Sequence, residues 1–241
     1  MRKTLIALVI SGLAFTANAS ETKLDTVLQK ASYTLGADLA KNFKNQGIDI
    51  DNDALIAGFE DALKNRPLKL SQQEMNSSIE ALKKQIMAKK MAEFKAKAEA
   101  NQKKGEAFLA ENKKKPGVHT TASGLQYKVI KAGKGPHPTD DSTVIAHYEG
   151  RLIDGTVFDS SYKRGTPLKF ELNNVIPGWQ EAIKLMRPGA VWEVYIPAKL
   201  AYGEKGAGKV IGPNETLIFK VELITVDNPK DKSDTPKSTE Q

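Results

Sequence analysis

From Ser71 to Lys115 the chain contains no proline, and its apolar residues hold helical spacing. Met75, Ile79, Leu82, Ile86, Phe94 and Ala98 recur on one face. Ser71-Gln72-Gln73-Glu74 opens the stretch as a capping box. The Ser hydroxyl can accept from the third helical N–H while Glu74 reaches back to the Ser71 backbone. Leu70 and Met75 stand at the staple positions on either side, and Pro116-Gly117 ends the run. A helix over 71–114, rising ~1.5 Å per residue, would be roughly 60 Å long. A rod of that length separates the chain into an N-terminal and a C-terminal part.

The two halves of the rod differ. Up to Phe94 an apolar stripe asks to be buried. From Lys95 to Lys115 the composition thins to Ala, Lys, Glu and Asn, with Phe108-Leu109 as the bulky exceptions. A helix polar all round is usually a bridge between domains, so residues 96–116 read as a spacer. Ahead of the rod, Leu28, Ala31, Leu35, Leu39 and Phe43 form one helical face with Gly47 as its stop. Asp51-Asn52-Asp53 offers capping oxygens to a second helix carrying Leu55, Phe59, Ala62 and Leu63, which Arg66-Pro67 ends. Two short helices supply few large side chains, and so small a unit rarely builds an adequate core alone. A homodimer through residues 20–95 is the expectation. The alternative is a helical cap folded onto its own second domain. Residues 1–19 have a basic start (Arg2, Lys3), an apolar run from Leu5 to Phe15 and the small-x-small site Ala17-Asn18-Ala19. That is the pattern of a secretory signal. The apolar run is too short to span a bilayer, which takes ~20 residues, so no integral membrane segment is expected.

Lys113 to Gly117 marks a boundary, and beyond it the pattern turns to alternation. Strands are expected over Gly124–Ile130, Thr143–Glu149, Gly155–Phe158, Leu168–Leu172, Ala190–Ile196 and Thr216–Val226, separated by Gly or Pro turns. One helical insert, Trp179 to Met186, interrupts them. The chain is thus α+β: an N-terminal all-α dimerisation domain with a long connecting helix, then an antiparallel sheet over 117–227 wrapped on one short helix. Residues 228–241 hold no core formers and read as a disordered tail.

The chemistry is bounded by what is missing. There is no Cys, so thiol catalysis, disulfides and thiolate metal sites are excluded. The three His (His119, His137, His147) have no metal-ligand spacing, so no metal and no cofactor is expected. No Ser sits in a nucleophile elbow. Gly203 to Val210 imitates a phosphate-binding loop, but Val210 replaces the hydroxyl residue and Gly212-Pro213 stand where a helix must start. A glycine-rich hairpin tip fits better. Residues 83–115 carry eleven Lys against four Glu, without Arg or interleaved aromatics. That is a solvated face, not a nucleic-acid surface. What is left is aromatic: Trp179 follows a Pro-Gly breaker, with Tyr148, Phe158, Phe170, Tyr202 and Phe219 in the same segment. An apolar pocket around that indole is expected.

Residues 117–227 resemble the FKBP-type, rapamycin-binding peptidyl-prolyl isomerases. The resemblance rests on Ala146-His147-Tyr148-Glu149-Gly150, Gly155-Thr156-Val157-Phe158-Asp159-Ser160-Ser161, Val175-Ile176-Pro177-Gly178-Trp179, Leu200-Ala201-Tyr202-Gly203 and Thr216 to Leu223, in that order. Ser32 to Leu39, Lys41 to Ile48 and Gly105 to Leu109 extend it to the macrophage infectivity potentiator proteins and the related periplasmic FkpA chaperones. The resemblance implies an FKBP-like sheet that catalyses X–Pro rotation. It implies Asp159 and Tyr202 as the polar, catalytic residues, with Arg164 as partner of Asp159. Tyr148, Phe158, Leu168, Val175, Ile176, Trp179, Ile211 and Phe219 would bind substrate, with Trp179 as the floor. Leu168 stands where many members carry an aromatic. The implied partners are proline-containing polypeptide clients, macrolides of the rapamycin/FK506 type and a second copy of the chain. The implied location is the periplasm or the outer-membrane surface of a Gram-negative bacterium. A holdase or surface-binding role, with isomerisation secondary, is the competing expectation.

Overall fold

The computed structural model describes residues 22–229. The expected export signal and residues 230–241 of the expected tail lie outside them. The chain divides into two compact units, one ending at Ile86 and the other starting at Met87.

In the first unit each helix starts on a side-chain cap. The Thr26 hydroxyl accepts from the Gln29 N–H at 3.2 Å, and the Gln29 side chain accepts from the Thr26 N–H at 3.0 Å. This box opens α1 (Val27–Gln46), which Gly47 closes in the left-handed region, φ 68°. Asp51 accepts from the Ala54 N–H at 2.9 Å to open α2 (Asn52–Leu63). At the expected capping box, the Glu74 carboxylate accepts from the Ser71 N–H at 2.8 Å and Ser71 Oγ accepts from the Glu74 N–H at 3.3 Å. From there α3 (Gln72–Asn112) runs unbroken for 41 residues, past Ile86 into the second unit. The apolar stripes of this unit are on the surface: Leu35 is 72%, Phe59 67% and Leu63 70% exposed. Among the described residues up to Ile86, Asp61 alone is buried. No helix of the described residues is long and apolar enough to cross a membrane.

The second unit is a seven-stranded antiparallel sheet in the order β1-β2-β6-β7-β3-β4, with β5 also pairing β3. The strands are β1 (Val118–Thr120), β2 (Gln126–Lys131), β3 (Thr143–Leu152), β4 (Val157–Ser160), β5 (Leu168–Glu171), β6 (Val191–Ile196) and β7 (Leu217–Asp227). Strand β3 is the spine, pairing with β4, β5 and the whole of β7. Its side chains alternate strictly, with Val144, Ala146, Tyr148, Gly150 and Leu152 inward. The unit also holds two short helices, α4 (Ser161–Arg164) and α5 (Pro177–Leu185). Pro177 opens α5, where its missing N–H costs nothing. Gly178, Trp179, Ala182 and Ile183 form its buried face, which packs into the core with Val144, Met186, Val194 and Leu217.

Besides adding the single turn of α4 to the one expected helical insert, the structure corrects the sequence reading at three places. The edge strand β1 does not stand out in the sequence, since three residues are too few to show a period. Asn228, assigned to the tail, is buried: its side chain accepts from Ser142 Oγ and donates to the His137 carbonyl at 3.3 Å. Third, residues 95–112 are not a free spacer. They lie along the outer face of the sheet. Tyr195 and Ile218, paired across β6 and β7, point away from the α5 core yet are only 6% and 5% exposed. Phe108 sits 5.9 Å from the Tyr195 ring. The buried Asn112 amide donates to Gln126 Oε1 at 3.0 Å, and Gln126 Nε2 donates to the Leu109 carbonyl at 2.9 Å.

The closest approach in this seam is at Gly105, where a Cβ would fall 2.4 Å from Thr216 Oγ1. Gly105→Ala is expected to lower the stability of the isolated second unit by about 1–3 kcal/mol, the usual cost of overpacking. Adding Thr216→Ala should restore part of the loss. Urea unfolding of the single and double variants checks both.

Candidate functional site

Four secondary-structure elements converge on Trp179. Helix α5 supplies the indole in its first turn, and β3, β7 and β5 supply the rings around it. Tyr148 meets Trp179 edge-on, with centroids 5.1 Å apart and planes at 86°. Phe219 does the same at 5.2 Å and 83°. Phe170 leans on the indole at 5.5 Å, and Phe158 packs edge-on against Phe219 at 5.5 Å. Edge-to-face pairs of this kind add about 0.5–1.5 kcal/mol each beyond the area they bury. Gly150 makes the last pair possible. A Cβ there would sit 2.6 Å from the Phe158 ring and 2.7 Å from Phe219.

The floor is buried and the rim is not. Trp179, Phe219 and Tyr148 are 5%, 4% and 6% exposed. Phe158, Val175, Ile176 and Ile211 are part-buried and pack against the core. Tyr202 is 40% exposed, and its hydroxyl has no partner among the described residues. The indole Nε1 is a buried donor without an acceptor. Trp in an ordinary core usually finds a partner for that group, and an unpaired one costs about 1–3 kcal/mol.

A polar network lies against the Tyr148 side. Strand β4 ends at Ser160, whose hydroxyl caps α4 by accepting from the Lys163 N–H at 3.3 Å. That single turn brings Arg164 back over Asp159. The Arg164 guanidinium donates to one Asp159 oxygen and, at 2.9 Å, to the Tyr148 hydroxyl. The Tyr148 hydroxyl in turn donates to the other Asp159 oxygen. The guanidinium also stands 5.6 Å from the Tyr148 ring centre. Buried Ser161 continues the β3–β4 ladder with its side chain: its Oγ accepts from the Tyr148 N–H at 2.8 Å and contacts the Tyr148 carbonyl at 3.1 Å. Backbone and hydroxyl of Tyr148 are therefore both fixed. Burial opposes the charge on Asp159, but the hydrogen bonds from Tyr148 and Arg164, with the guanidinium charge, hold its carboxyl below the usual range. Burial, and then the bond to Asp159, push the Tyr148 phenol up.

Of the residues singled out from the sequence, Tyr148, Phe158, Val175, Ile176, Trp179, Ile211 and Phe219 all join the core cluster or pack against it. Asp159 and Arg164 form the expected pair. Leu168 does not join the cluster: it is 37% exposed at the start of β5, and Phe170, two residues on, takes the place beside the indole. The sequence counts Phe170 among the aromatics expected around the indole, while the substrate-binding set implied by the resemblance has Leu168 and omits Phe170. That set also takes Tyr148 as apolar lining and misses its hydroxyl network. The three histidines are engaged elsewhere: His119 stacks on Tyr127 at 5.2 Å, His137 meets the Met186 carbonyl at 2.9 Å and His147 meets Ser161 Oγ at 2.9 Å. Among the described residues no three His, Asp or Glu side chains are grouped so as to hold a metal ion.

Known proteins share this architecture and sequence. Residues 135–224 match the family of FKBP-type peptidyl-prolyl cis-trans isomerases, and residues 28–129 match the domain amino terminal to FKBP-type peptidyl-prolyl isomerase. The chain is 51% identical to the outer membrane protein MIP of Legionella longbeachae, over 94% of this chain and 98% of that one. It is 48% identical to the peptidyl-prolyl cis-trans isomerase Mip of Coxiella burnetii, over 94% and 99%. The crystal structure of FkpA from Escherichia coli superposes with a TM-score of 0.74 at 40% identity, covering 86% of this chain and 99% of that one. This chain therefore belongs to the FKBP-type peptidyl-prolyl cis-trans isomerases of the Mip and FkpA family.

Proposed function

We propose that Trp179 is the floor on which a prolyl ring rests, and that the chain uses this surface to turn X–Pro bonds in exported polypeptides. The observation that carries the reading is the buried indole framed edge-on by Tyr148 and Phe219, with a rim left open to solvent. An X–Pro bond turns over a barrier of ~18–20 kcal/mol because rotation breaks amide resonance. The planar amide is polar; the twisted one is less so. A low-polarity surface therefore favours the twisted geometry over the planar one, and only such differential binding raises the rate. Each ~1.4 kcal/mol of it is worth tenfold. The free Tyr202 hydroxyl donates to a peptide carbonyl and holds one side of the bond while the prolyl side turns. Val175, Ile176, Phe158 and Ile211 exclude water at the edges, with Leu168 further out. Asp159 has both oxygens engaged, so it acts on the bond through its field and by fixing the Tyr148 ring. The chemistry calls for no nucleophile and no proton transfer. Macrolides of the rapamycin type would compete for the same surface.

Tyr202→Phe is expected to lower kcat/KM on a proline-containing tetrapeptide about threefold to tenfold, the worth of one hydrogen bond. Trp179→Leu should lower it further. If both variants match wild type in the isomerisation assay, the pocket reading fails.

The charge state of the network sets its pH range. The folded-state pKa of Asp159 lies below its unfolded value of about 3.9. The contribution of the pairing is thus complete above that unfolded value and lost as pH falls through the folded one. The pH–rate profile should be flat from about pH 5 to 9, with an acid limb below about pH 4 that Asp159→Asn removes. An acid limb beginning near pH 6 would contradict this assignment.

The first unit supports the dimer reading. It has no buried apolar side chain among its described residues, yet Leu39, Phe43, Ile48, Leu55, Ile56 and Phe59 line a groove of about 920 Å³. An exposed apolar face of this kind suits a second copy of the chain. Two isomerase sites on one dimer would raise each other's effective concentration on a long client, which supports a holding as well as a turning role. An exported setting, periplasmic or at the outer membrane, is supported by the residue 1–19 pattern and by the location that the name of the Legionella relative carries. The full chain is expected to be a dimer by light scattering, and a chain lacking residues 20–86 a monomer that still turns tetrapeptides. A dimer after the deletion would contradict the assignment.

A further inference from the structure

The loop that carries two rim residues, Tyr202 and Ile211, is not closed by its own contacts alone. One short antiparallel bridge holds its tip, with Ala207 and Ile211 exchanging bonds of 2.8 and 3.2 Å. Its second arm, residues 212–216, is held by α3. Asn101 Nδ2 donates to the Pro213 carbonyl at 2.8 Å. Asn214 Nδ2 reaches the Ala98 carbonyl at 3.5 Å. At Gly212 a Cβ would meet Lys97 Cε at 3.0 Å and Asn101 Nδ2 at 3.2 Å, so this backbone lies against the side chains of the helix. Ala98, Asn101 and Gly105 are spaced by three and four, one stripe of α3.

The hold passes to the other arm through Asn214. This residue has φ 53°, a left-handed backbone that asparagine adopts more readily than other residues bearing a Cβ. In that conformation the Asn214 N–H donates to the Gly203 carbonyl at 2.8 Å. Gly203 directly follows Tyr202. The path therefore runs from Ala98 and Asn101 on the helix, through Pro213 and Asn214, to Gly203 and the free tyrosine.

We infer that Asn101 and Asn214 are positioning residues for isomerisation, through which α3 holds the Tyr202–Ile211 rim in its substrate-ready arrangement. The inference rests on the proposed role of Tyr202 and Ile211 at the rim. If the hold is lost, only a fraction of the molecules present the rim correctly, and apparent affinity falls by that fraction. Bound substrate reselects the same geometry, so the turnover of the complex is unchanged. Loss of the hold thus shows in KM and not in kcat.

Two variants test this in the full chain with a proline-containing tetrapeptide. Asn101→Asp keeps the size of the side chain and removes the donor. Asn214→Gly keeps the left-handed backbone and removes the bond to Ala98. Each is expected to raise KM about threefold to tenfold, the range that one lost hydrogen bond spans, with kcat within about twofold and the melting temperature unchanged. Unaltered KM in both variants would overturn the inference, as would a fall in kcat tied to a lower melting temperature, which marks plain destabilisation. Tyr202→Phe, run alongside, separates the two readings. If it alone lowers kcat/KM, the helix has no hold on the rim and the pocket stands; if it too leaves kcat/KM unaltered, the rim assignment fails and this inference falls with it.

Discussion

The packing of one indole against two ring edges organises the second unit. Trp179 can lie flat between Tyr148 and Phe219 only because β3 and β7 are neighbours over ten paired positions and present those residues on the same face. It stays there because α5 buries Gly178, Ala182 and Ile183 in the same turn-and-a-half. Gly150 removes the side chain that would separate Phe158 from Phe219. The floor of the proposed site is thus a continuation of the hydrophobic core, and the free energy that folds the domain also shapes that surface. This differs from enzymes whose catalytic groups must be held against their own solvation. An apolar surface for a torsional reaction asks only that the core come to the surface at one point.

The polar part of the site follows a different logic. Asp159, Arg164 and Tyr148 are hydrogen-bonded to one another, and the Asp159–Arg164 pair keeps its charge across the neutral range. Tyr202 is the opposite: exposed, unpartnered among the described residues and carried on a loop. One set of groups is closed on itself and the other is left open to solvent. The helix that lies on the sheet also touches residues 212–216 of the loop that carries Tyr202.

The long helix shows how far a sequence pattern carries. Its start is legible to the residue, since the Ser71–Glu74 box is a local exchange of hydrogen bonds that needs no other part of the fold. Its second half reads as a spacer but docks on the sheet. The stripe that docks is Ala98, Asn101, Gly105, Phe108 and Asn112, spaced by three and four like any buried face. Hydropathy misses it because close packing on the sheet is made with small residues and amides. The first half carries the apolar stripe that asks to be buried; in a single chain Ile79, Met87, Met91 and Phe94 are exposed while Met75, Leu82 and Ile86 are half-buried.

The sequence by itself determined the three long helices with the caps of α2 and α3, the alternation of β3, the absence of thiol chemistry and the aromatic set, all written in short-range spacing or in composition; the Asp159–Arg164 pair came from the family resemblance. Tertiary structure alone decided that Leu168 stays outside the cluster around the indole, that Tyr148 donates to Asp159, and that Asn101 reaches Pro213 from 112 residues away. Those outcomes depend on strand register and on how closely two backbones approach. Both are set by the shapes of many side chains at once, and no local pattern encodes them.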